Sequence, residues 1–308
     1  MTGPKLVSPP PAHRSEAQIR EQYGLERALA RRLREADRDE RPALYSRVYD
    51  ELFQTLAHHP QVTRNDNRPA LASQIRFLRP YLSTETRLLE LGAGNGSLAK
   101  AIAPAIRAVF ALEVSDEVIR RIPRQSNLEV IRACGPEIPL ADDAVDLVYS
   151  YQVMEHLHPD DAFTQLREVV RVLAPGGAYL CITPNRLSGP HDISRFFDRE
   201  ATGLHLREYT VGELSELFYA AGFAHVSLQR VIRGRAVSLP AEPVAAFERL
   251  LEPMPWPLRT RLARADLVAR GLEIFALGRT AKARNKSRCS SRDAPPPLAG
   301  SGETSPRL

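Results

Sequence analysis

The first eighty residues carry apolar side chains at helical spacing. Residues 15–37 are a charged predicted helix with an imperfect apolar stripe, and residues 69–78 are a shorter predicted helix that stops before Pro80. Between them, five apolar residues recur at i, i+3, i+4, i+7 and i+11, a spacing typical of an amphipathic helix: Tyr45, Val48, Tyr49, Leu52 and Leu56. We expect Pro60 to end that second helix. The pattern predicts a helical extension over residues 15–83, in which Tyr45 and Tyr49 are either core residues or part of a lid.

From Thr86 onward the pattern changes to short apolar runs that alternate with helical stretches. Such alternation is typical of βαβ units and of a parallel sheet with helices on its faces. Six of these runs, at residues 87–91, 109–113, 128–131, 145–149, 178–183 and 224–231, are predicted strands, and residues 272–277 add a seventh. The predicted fold is α/β, with a doubly wound, mostly parallel seven-stranded sheet and an N-terminal helical extension.

Local signals place the helices and the outer segments. Pro159 followed by two aspartates suits a helix start, because proline fits the first turn and carboxylates favour the positive end of the helix dipole. Thr210 and Glu213 match a capping box, and Gly222 is expected to end the helix that they open. We expect disorder at 1–14 and 281–308, where apolar residues are scarce. The main domain then spans 84–280 and includes a proline- and arginine-rich insertion at 233–270.

Positive charge is concentrated at one end of the chain. The net charge is +5, yet from residue 258 onward eleven Lys or Arg stand against four Asp or Glu, so the rest of the chain carries −2. A basic tail alone is weak support for a nucleic-acid partner. An Asn/Asp-Pro-Pro-Tyr motif for exocyclic amines is also missing. We therefore favour a small-molecule partner over nucleic acid.

Cellular location and metal binding are constrained by what the sequence lacks. It has no apolar run of about 18 residues and no hydrophobic leader segment, so we expect no membrane span and a cytoplasmic protein. The cysteines Cys134, Cys181 and Cys289 are scattered and show no C-x-x-C spacing. Such scatter predicts no disulfide framework and no metal site. The oligomeric state is left open.

The strongest chemical signal is a glycine-rich turn at residues 88–98, read Leu-Leu-Glu-Leu-Gly-Ala-Gly-Asn-Gly-Ser-Leu. A buried strand runs directly into three alternating glycines, which allow a tight turn and close approach to a ligand. A dinucleotide-binding loop would place its third glycine at Ser97 instead of Gly96. A phosphate-binding P-loop would need Gly-Lys-Ser/Thr, which is missing. The spacing therefore disfavours both a dehydrogenase and a P-loop nucleotide hydrolase.

This turn and the segments after it resemble class I S-adenosylmethionine-dependent methyltransferases over residues 84–232, closest to the ubiquinone/menaquinone-biosynthesis type. E-x-G-x-G-x-G resembles the first motif of that family, and Glu113 ends the next strand. Three later segments resemble later motifs of the family in the right order: Ile-Pro-Leu at 138–140 with Val-Asp-Leu-Val at 145–148, residues 151–157, and Leu-Ala-Pro-Gly-Gly at 173–177. Residues 206–210 and 221–223 resemble the segment that leads into the sixth strand.

The resemblance implies S-adenosylmethionine as cofactor and assigns roles on one side of the site. Glu90, Gly92, Gly94 and Gly96 would surround the methionine part, although Glu90 could instead be a strand-end carboxylate bonded to loop amides. Glu113 would hold the ribose, and Gln152 would lie near the sulfonium. The family often has an aspartate at the position of Cys134, where it binds the adenine amino group. Cys134 accepts a hydrogen bond poorly, which puts the adenine contact in doubt.

The acceptor side is predicted from position and residue type. An oxygen acceptor benefits from a general base, and His156 is the first candidate, with capping of the helix at Pro159 as the alternative. The polar and aromatic segment after the fifth strand leaves the sheet on the ligand side, where loops often carry function. It suggests His191 as a second catalytic candidate. The candidates for acceptor recognition are Asn185, Arg195, His205, Arg207 and Tyr209.

The favoured function is therefore methyl transfer to oxygen of a metabolite, quinone-type precursor or glycan. Arginines in the acceptor segment would suit a carboxylate, phosphate or glycan acid, although for any single arginine a solvated surface charge is the favoured interpretation. Two other functions stay open. One is a nucleic-acid-binding methyltransferase, which the basic tail would support, and the other is a catalytically silent cofactor-binding regulator, which Cys134 would support.

Overall fold

The sheet is the organising element of the structure, a computed structural model that describes residues 6–11, 14–56, 68–122, 125–133, 135–265, 268–269 and 272–281. Its strands are β1 (Arg87–Leu91), β2 (Ala108–Glu113), β3 (Leu128–Arg132), β4 (Val145–Tyr151), β5 (Leu173–Thr183), β6 (His225–Ile232), β7 (Arg235–Leu239) and β8 (Ile274–Arg279). They are ordered β3-β2-β1-β4-β5-β8-β6-β7. The first five strands pair in parallel, and β8, β6 and β7 pair antiparallel.

The helices are α1 (Glu16–Glu35), α2 (Arg41–Thr55), α3 (Arg68–Leu78), α4 (Ser97–Ile102), α5 (Asp116–Ile119), α6 (Pro159–Val172), α7 (Val211–Ala221), α8 (Glu242–Leu251) and α9 (Trp256–Ala263). The capping box of Thr210 and Glu213 is present at the start of α7, and Gly222 ends it with φ of +113°. A second capping box at Ser15 opens α1. None of the helices among the described residues is long and apolar enough to cross a membrane.

Two apolar layers cover the two faces of the sheet, as the alternation along the strands requires. On one face, Leu89 and Leu91 of β1 pack with α2, α6 and α7. On the other, Leu88 packs with α3 and α4. The parallel strands are buried on both faces, which explains why they appear in the sequence as continuous apolar runs.

The chain order reverses beside β1, because β2 lies on one side of it and β4 on the other. A crevice therefore opens at the carboxyl ends of β1 and β4, the place where doubly wound sheets bind ligands. A buried ion pair holds the N-terminal helices against this region. The Arg41 guanidinium donates to both carboxylate oxygens of Asp161 at 2.7 and 3.0 Å, and the Tyr45 hydroxyl donates to the same carboxylate at 2.8 Å.

Two details differ from the sequence prediction. Among the described residues the sheet has eight strands instead of seven, because β6 and β7 form a hairpin at its edge. Strand β5 begins at Leu173 and includes the Pro-Gly-Gly turn, with a register irregularity opposite β4. The predicted insertion at 233–270 contains β7, α8 and α9. Three predictions lie wholly or partly outside the described residues. They are the helix end at Pro60, the disordered tail at 281–308 apart from residue 281, and residues 1–5, 12 and 13 of the N-terminal disorder.

Candidate active site

The glycine turn joins β1 to α4 and forms one wall of the crevice. Gly92, Gly94 and Gly96 have φ of +65°, +55° and +70°, a region that residues with a Cβ rarely adopt. A Cβ at Gly92 would lie 2.6 Å from Val153, and one at Gly96 would lie 2.6 Å from Ile122. A Cβ at Gly94 would meet no atom within 4 Å. Gly94 therefore borders open space, whereas the other two glycines are required by packing.

The first cavity has a volume of about 460 Å³ and lies between this turn, the ends of β2 and β4, and helices α2 and α3. Its size is within the usual range for small-molecule and cofactor sites. The residues that line it include Tyr49, Glu90, Gly92, Gly94, Glu113, Gln152 and His156. The predicted cofactor residues therefore converge on one cavity, except Gly96, which packs behind the turn, and Cys134, which lies outside the described residues.

Glu113 ends β2 and shapes the cavity through hydrogen bonds to backbone amides. Its Oε2 accepts from the Gly94 amide at 2.8 Å, and its Oε1 accepts from the amides of Val114 at 2.8 Å and Ser115 at 3.1 Å. The carboxylate thus fixes the glycine turn relative to β2. It also lines the cavity, where a ribose hydroxyl would reach its remaining lone pairs.

Glu90 lies at the floor of the same cavity, almost completely buried. Its Oε2 has no hydrogen-bond partner among the described residues. The pKa of Glu90 is raised to about 8, mainly by burial and also by the charge of Glu113. A backbone hydrogen bond from Ala99 opposes this rise. A buried carboxyl without a full set of partners is costly, so a positively charged ligand group beside it would be favourable.

Helix α2 closes the cavity from above. Tyr45 is a buried structural residue, because its hydroxyl donates to Asp161 and accepts from the His158 amide at 2.8 Å. Tyr49 lines the cavity, and its buried hydroxyl lacks a hydrogen-bond partner among the described residues. Asp50 accepts from the Ser115 hydroxyl at 2.6 Å and so ties α2 to the end of β2. Both tyrosines therefore line the first cavity, and they differ in that only the Tyr45 hydroxyl has hydrogen-bond partners among the described residues.

A second cavity of about 890 Å³ opens beyond the end of β4. Tyr151 and Gln152 line both cavities, and Gln152 has φ of +58°. Such a conformation is uncommon for a residue other than glycine and is found often at functional sites. The turn at Gln152 therefore forms the boundary between the two cavities.

Three arginines line the second cavity, namely Arg195, Arg199 and Arg264, together with the indole of Trp256. The Arg199 guanidinium lies 5.5 Å from the centre of the Trp256 ring. Two carboxylates, Asp198 and Glu273, also line it, and Asp198 already accepts a hydrogen bond from Tyr23 at 2.7 Å. The cavity thus combines excess positive charge with an aromatic surface.

A buried polar cluster lies next to the Gln152 turn and consists of Glu155, His156, His205 and Glu208. The Nδ1 of His205 is 2.7 Å from Glu208 Oε1, and the Nδ1 of His156 donates to the Leu204 carbonyl at 3.0 Å. Burial lowers the pKa of His205, but the hydrogen bond to Glu208 and the charges of Glu155 and Asp192 outweigh it and raise that pKa to about 9. Burial raises the pKa of Glu155 to about 7.

The predicted acceptor-side residues are not all in one place. His191 and Arg195 line the second cavity, and burial lowers the pKa of His191. Asn185 also lines it, but its amide donates to Glu248 at 2.7 Å and to the Leu272 carbonyl at 3.0 Å, which is a structural arrangement. Arg207 and Tyr209 line neither cavity, since the guanidinium stacks over the Tyr209 ring. Their predicted roles have no support from this geometry.

Several residues of the site were not found from the sequence. Arg199 lies two residues beyond the segment 184–197 that was singled out after β5. Trp256 and Arg264 come from the predicted insertion, and nothing local connects them with the glycine turn. Glu155 was passed over because it lies beside His156, the more obvious chemical candidate.

Comparisons with known proteins show which family the chain resembles. A family model described as a methyltransferase domain matches residues 89–181. A probable S-adenosylmethionine-dependent methyltransferase of Mycobacterium tuberculosis is 31% identical over 202 residues, which cover 63% of this chain and 72% of that protein. Another, of Mycolicibacterium smegmatis, is 36% identical over 165 residues, which cover 50% of this chain and 62% of that protein.

The expected closeness to the ubiquinone/menaquinone type is supported only weakly. The ubiquinone/menaquinone biosynthesis C-methyltransferase of Rubrivivax gelatinosus is 34% identical over 98 residues, which cover 31% of this chain and 38% of that protein. The mycobacterial matches extend over about twice as many residues and reach further beyond the shared domain.

Proposed function

The chain belongs to the S-adenosylmethionine-dependent methyltransferases, and from this premise we propose that it methylates an oxygen of an anionic small molecule. It is an enzyme, and its methyl donor is S-adenosylmethionine.

The first cavity fits the methyl donor. Gly94 borders open space where a ligand can approach the backbone, and Glu113 offers a carboxylate for the ribose hydroxyls. Glu90 is buried with an unpartnered oxygen, so the donor's ammonium group is a suitable partner for it. Bound S-adenosylmethionine supplies an electrophilic methyl group. Its transfer to a hydroxyl oxygen forms a carbon–oxygen bond, breaks the carbon–sulfur bond, releases the hydroxyl proton and leaves S-adenosylhomocysteine.

The second cavity is the proposed acceptor site, and one observation carries this assignment. It meets the first cavity at Tyr151 and Gln152, so an acceptor in the second cavity can reach a methyl group presented from the first. Arg195, Arg199 and Arg264 favour a carboxylate or phosphate. Trp256 offers an apolar surface to a ring or chain of the acceptor.

The protein's own contribution is mainly positioning. Holding the acceptor oxygen in line with the methyl carbon replaces a bimolecular encounter with an effectively unimolecular step. His156 is the member of the buried polar cluster that lines the first cavity, and we assign it to activation of the acceptor hydroxyl. Helix α2 covers the site and limits access of water, which would otherwise compete for hydrogen bonds to the acceptor.

A methyl-transfer assay with matched variants tests this function. Protein with labelled S-adenosylmethionine is offered hydroxylated carboxylates, phosphates and sugar acids, each paired with its neutral ester or unphosphorylated analogue. We expect methylated products from anionic acceptors. Arg199→Gln and Arg264→Gln should raise the acceptor KM at least tenfold without changing the affinity for S-adenosylhomocysteine.

Arg235→Gln, at an exposed position on β7, is the matched control and should behave as the wild type. Preference for the neutral analogues, or equal loss in the control, would contradict the acceptor assignment. Methyl transfer to RNA or DNA with no small-molecule product would favour the nucleic-acid alternative instead. Binding of S-adenosylhomocysteine without turnover on any acceptor would favour the silent regulator.

A further inference from the structure

Three side chains with metal-ligating atoms meet beside the Gln152 turn. Glu155 and His156 belong to a short 3-10 helix, Met154–His156, that follows β4, and His205 lies in the loop before α7. One ligand atom from each lies within 4.8 Å of the others. Glu155 and His205 are buried and His156 is partly buried, so the cluster is not a solvated surface group.

Both imidazoles are held in the manner of metal ligands. A ligating histidine usually donates its second ring N–H to a carboxylate or a backbone carbonyl, which fixes its tautomer and orientation. Here His156 Nδ1 donates to the Leu204 carbonyl at 3.0 Å, and His205 Nδ1 lies 2.7 Å from Glu208 Oε1. In each ring Nε2 is then the nitrogen that would coordinate an ion.

The carboxylate of Glu155 provides a second, independent observation. The residue has no exposed surface. Its Oε2 accepts from the Thr183 hydroxyl at 2.8 Å, whereas its Oε1 has no hydrogen-bond partner among the described residues. A buried carboxylate oxygen without a partner needs an explanation, and a cation bound between Glu155 and the two histidines would supply one.

We propose that Glu155, His156 and His205 bind a divalent transition metal ion that coordinates the acceptor oxygen. Two imidazoles and one carboxylate form a ligand set used by catalytic zinc and by non-haem iron, and it leaves coordination positions for a further ligand. Ligand atoms around such an ion lie about 3–3.5 Å apart, so atoms that are now up to 4.8 Å apart must move closer by up to about 1.5 Å when it binds. The ion would lie beside the first cavity, which His156 lines, and near the Gln152 turn where the two cavities meet.

The proposed metal gives His156 a defined part in acceptor activation, and in that respect it rests on the proposed function. A hydroxyl bound to a divalent ion ionises more easily. Its proton would leave to solvent, the oxygen would bond to the methyl carbon as the carbon–sulfur bond breaks, and S-adenosylhomocysteine would remain. The sequence predicted no metal site because its cysteines are scattered and show no C-x-x-C spacing. The 48 residues between His156 and His205 give no such spacing signal.

Metal titration of the tag-free full-length protein tests the proposal. After dialysis against a chelator, the protein is titrated with Zn²⁺ by calorimetry and with Co²⁺ by visible absorption. We expect one equivalent of each ion and a cobalt spectrum typical of nitrogen and oxygen ligands. His205→Gln and Glu155→Gln should weaken binding at least tenfold. Glu208→Gln, which touches His205 without being a ligand, should weaken it about 10- to 100-fold.

His225→Gln is the matched control, because His225 is an exposed histidine at the start of β6, and it should leave binding unchanged. Each variant is also tested for thermal unfolding and for binding of S-adenosylhomocysteine, so that loss of the fold or of the cofactor site is seen separately. No stoichiometric ion, or the same affinity in His205→Gln and wild type, would overturn the metal site. If the metal site is overturned in this way while methyl transfer proceeds, the proposed function stands without a metal ion. If the ion binds but no acceptor is methylated, the proposed function fails instead.

Discussion

Glu90→Gln should stabilise the protein while impairing its cofactor site. Burial raises the pKa of Glu90 in the folded protein to about 8 from its ordinary value of 4.5. Unfolded Glu90 is therefore ionised above pH 4.5, whereas folded Glu90 stays neutral until about pH 8. The folded state loses stability across this window as pH rises, because the unfolded chain releases a proton that the folded chain retains. Glutamine copies the neutral form and removes this pH-dependent loss.

The magnitude follows from the pKa difference. At 1.36 kcal/mol per pKa unit, the roughly 2.5 units between 4.5 and pH 7 correspond to about 3 kcal/mol of unfolding free energy. For a chain of this size, that is a rise in Tm of roughly 6–12 °C. At pH 4, where Glu90 is mostly neutral in both states, the two proteins should differ little.

Thermal unfolding of both proteins from pH 4 to pH 8, without ligand, is the assay. The expected result is a Tm difference that grows across this range in favour of Glu90→Gln. Calorimetry should also show that the affinity of the wild type for S-adenosylmethionine rises from pH 6 to pH 7 by up to tenfold, because an ionised Glu90 pairs with the donor's ammonium. The variant should bind more weakly, with no such rise. A Tm difference independent of pH would refute the reasoning.

Two further substitutions test the lid and the glycine turn. Arg41→Ala leaves the buried Asp161 charge without its ion-pair partner and should lower the free energy of unfolding in denaturant by about 3–5 kcal/mol. Arg32→Ala breaks an exposed ion pair and should lower it by under about 1 kcal/mol. Equal losses of stability would contradict the role of the buried ion pair. Gly94→Ala places a methyl group in the open space of the first cavity and should reduce S-adenosylhomocysteine affinity at least tenfold in calorimetry. Gly24→Ala, inside α1, should leave that affinity unchanged and raise stability by about 0.5–1 kcal/mol, and equal affinity in both variants would contradict the cofactor placement.

Much of the sheet could be predicted from the sequence because its strands are buried on both faces and are continuous apolar runs. Strand β1 lies at the residues predicted for it, 87–91. Strand β7 was missed for a physical reason. Its residues are mostly exposed, so no apolar pattern marks it, and only pairing with β6 keeps it in the sheet.

The cofactor side of the site could be predicted from the sequence, whereas most of the acceptor side could not. The cofactor residues lie at the carboxyl ends of three neighbouring parallel strands, which meet at one edge of the sheet. Glu90 and Glu113 belong to β1 and β2, and Gly92, Gly94 and Gln152 come soon after β1 and β4. The acceptor side depends on long connections instead. Trp256 and Arg264 reach the second cavity from beyond α8, and His205 reaches His156 through a loop, so tertiary packing alone brings these groups together.

A crystal structure of the protein with S-adenosylhomocysteine tests the central claim most directly. The account predicts that the ligand fills the first cavity, with its ribose on Glu113, its ammonium toward Glu90, and its sulfur at the Gln152 turn facing the cavity of Arg195, Arg199 and Arg264. A ligand whose sulfur faces away from that cavity, or one bound outside the first cavity, would contradict it.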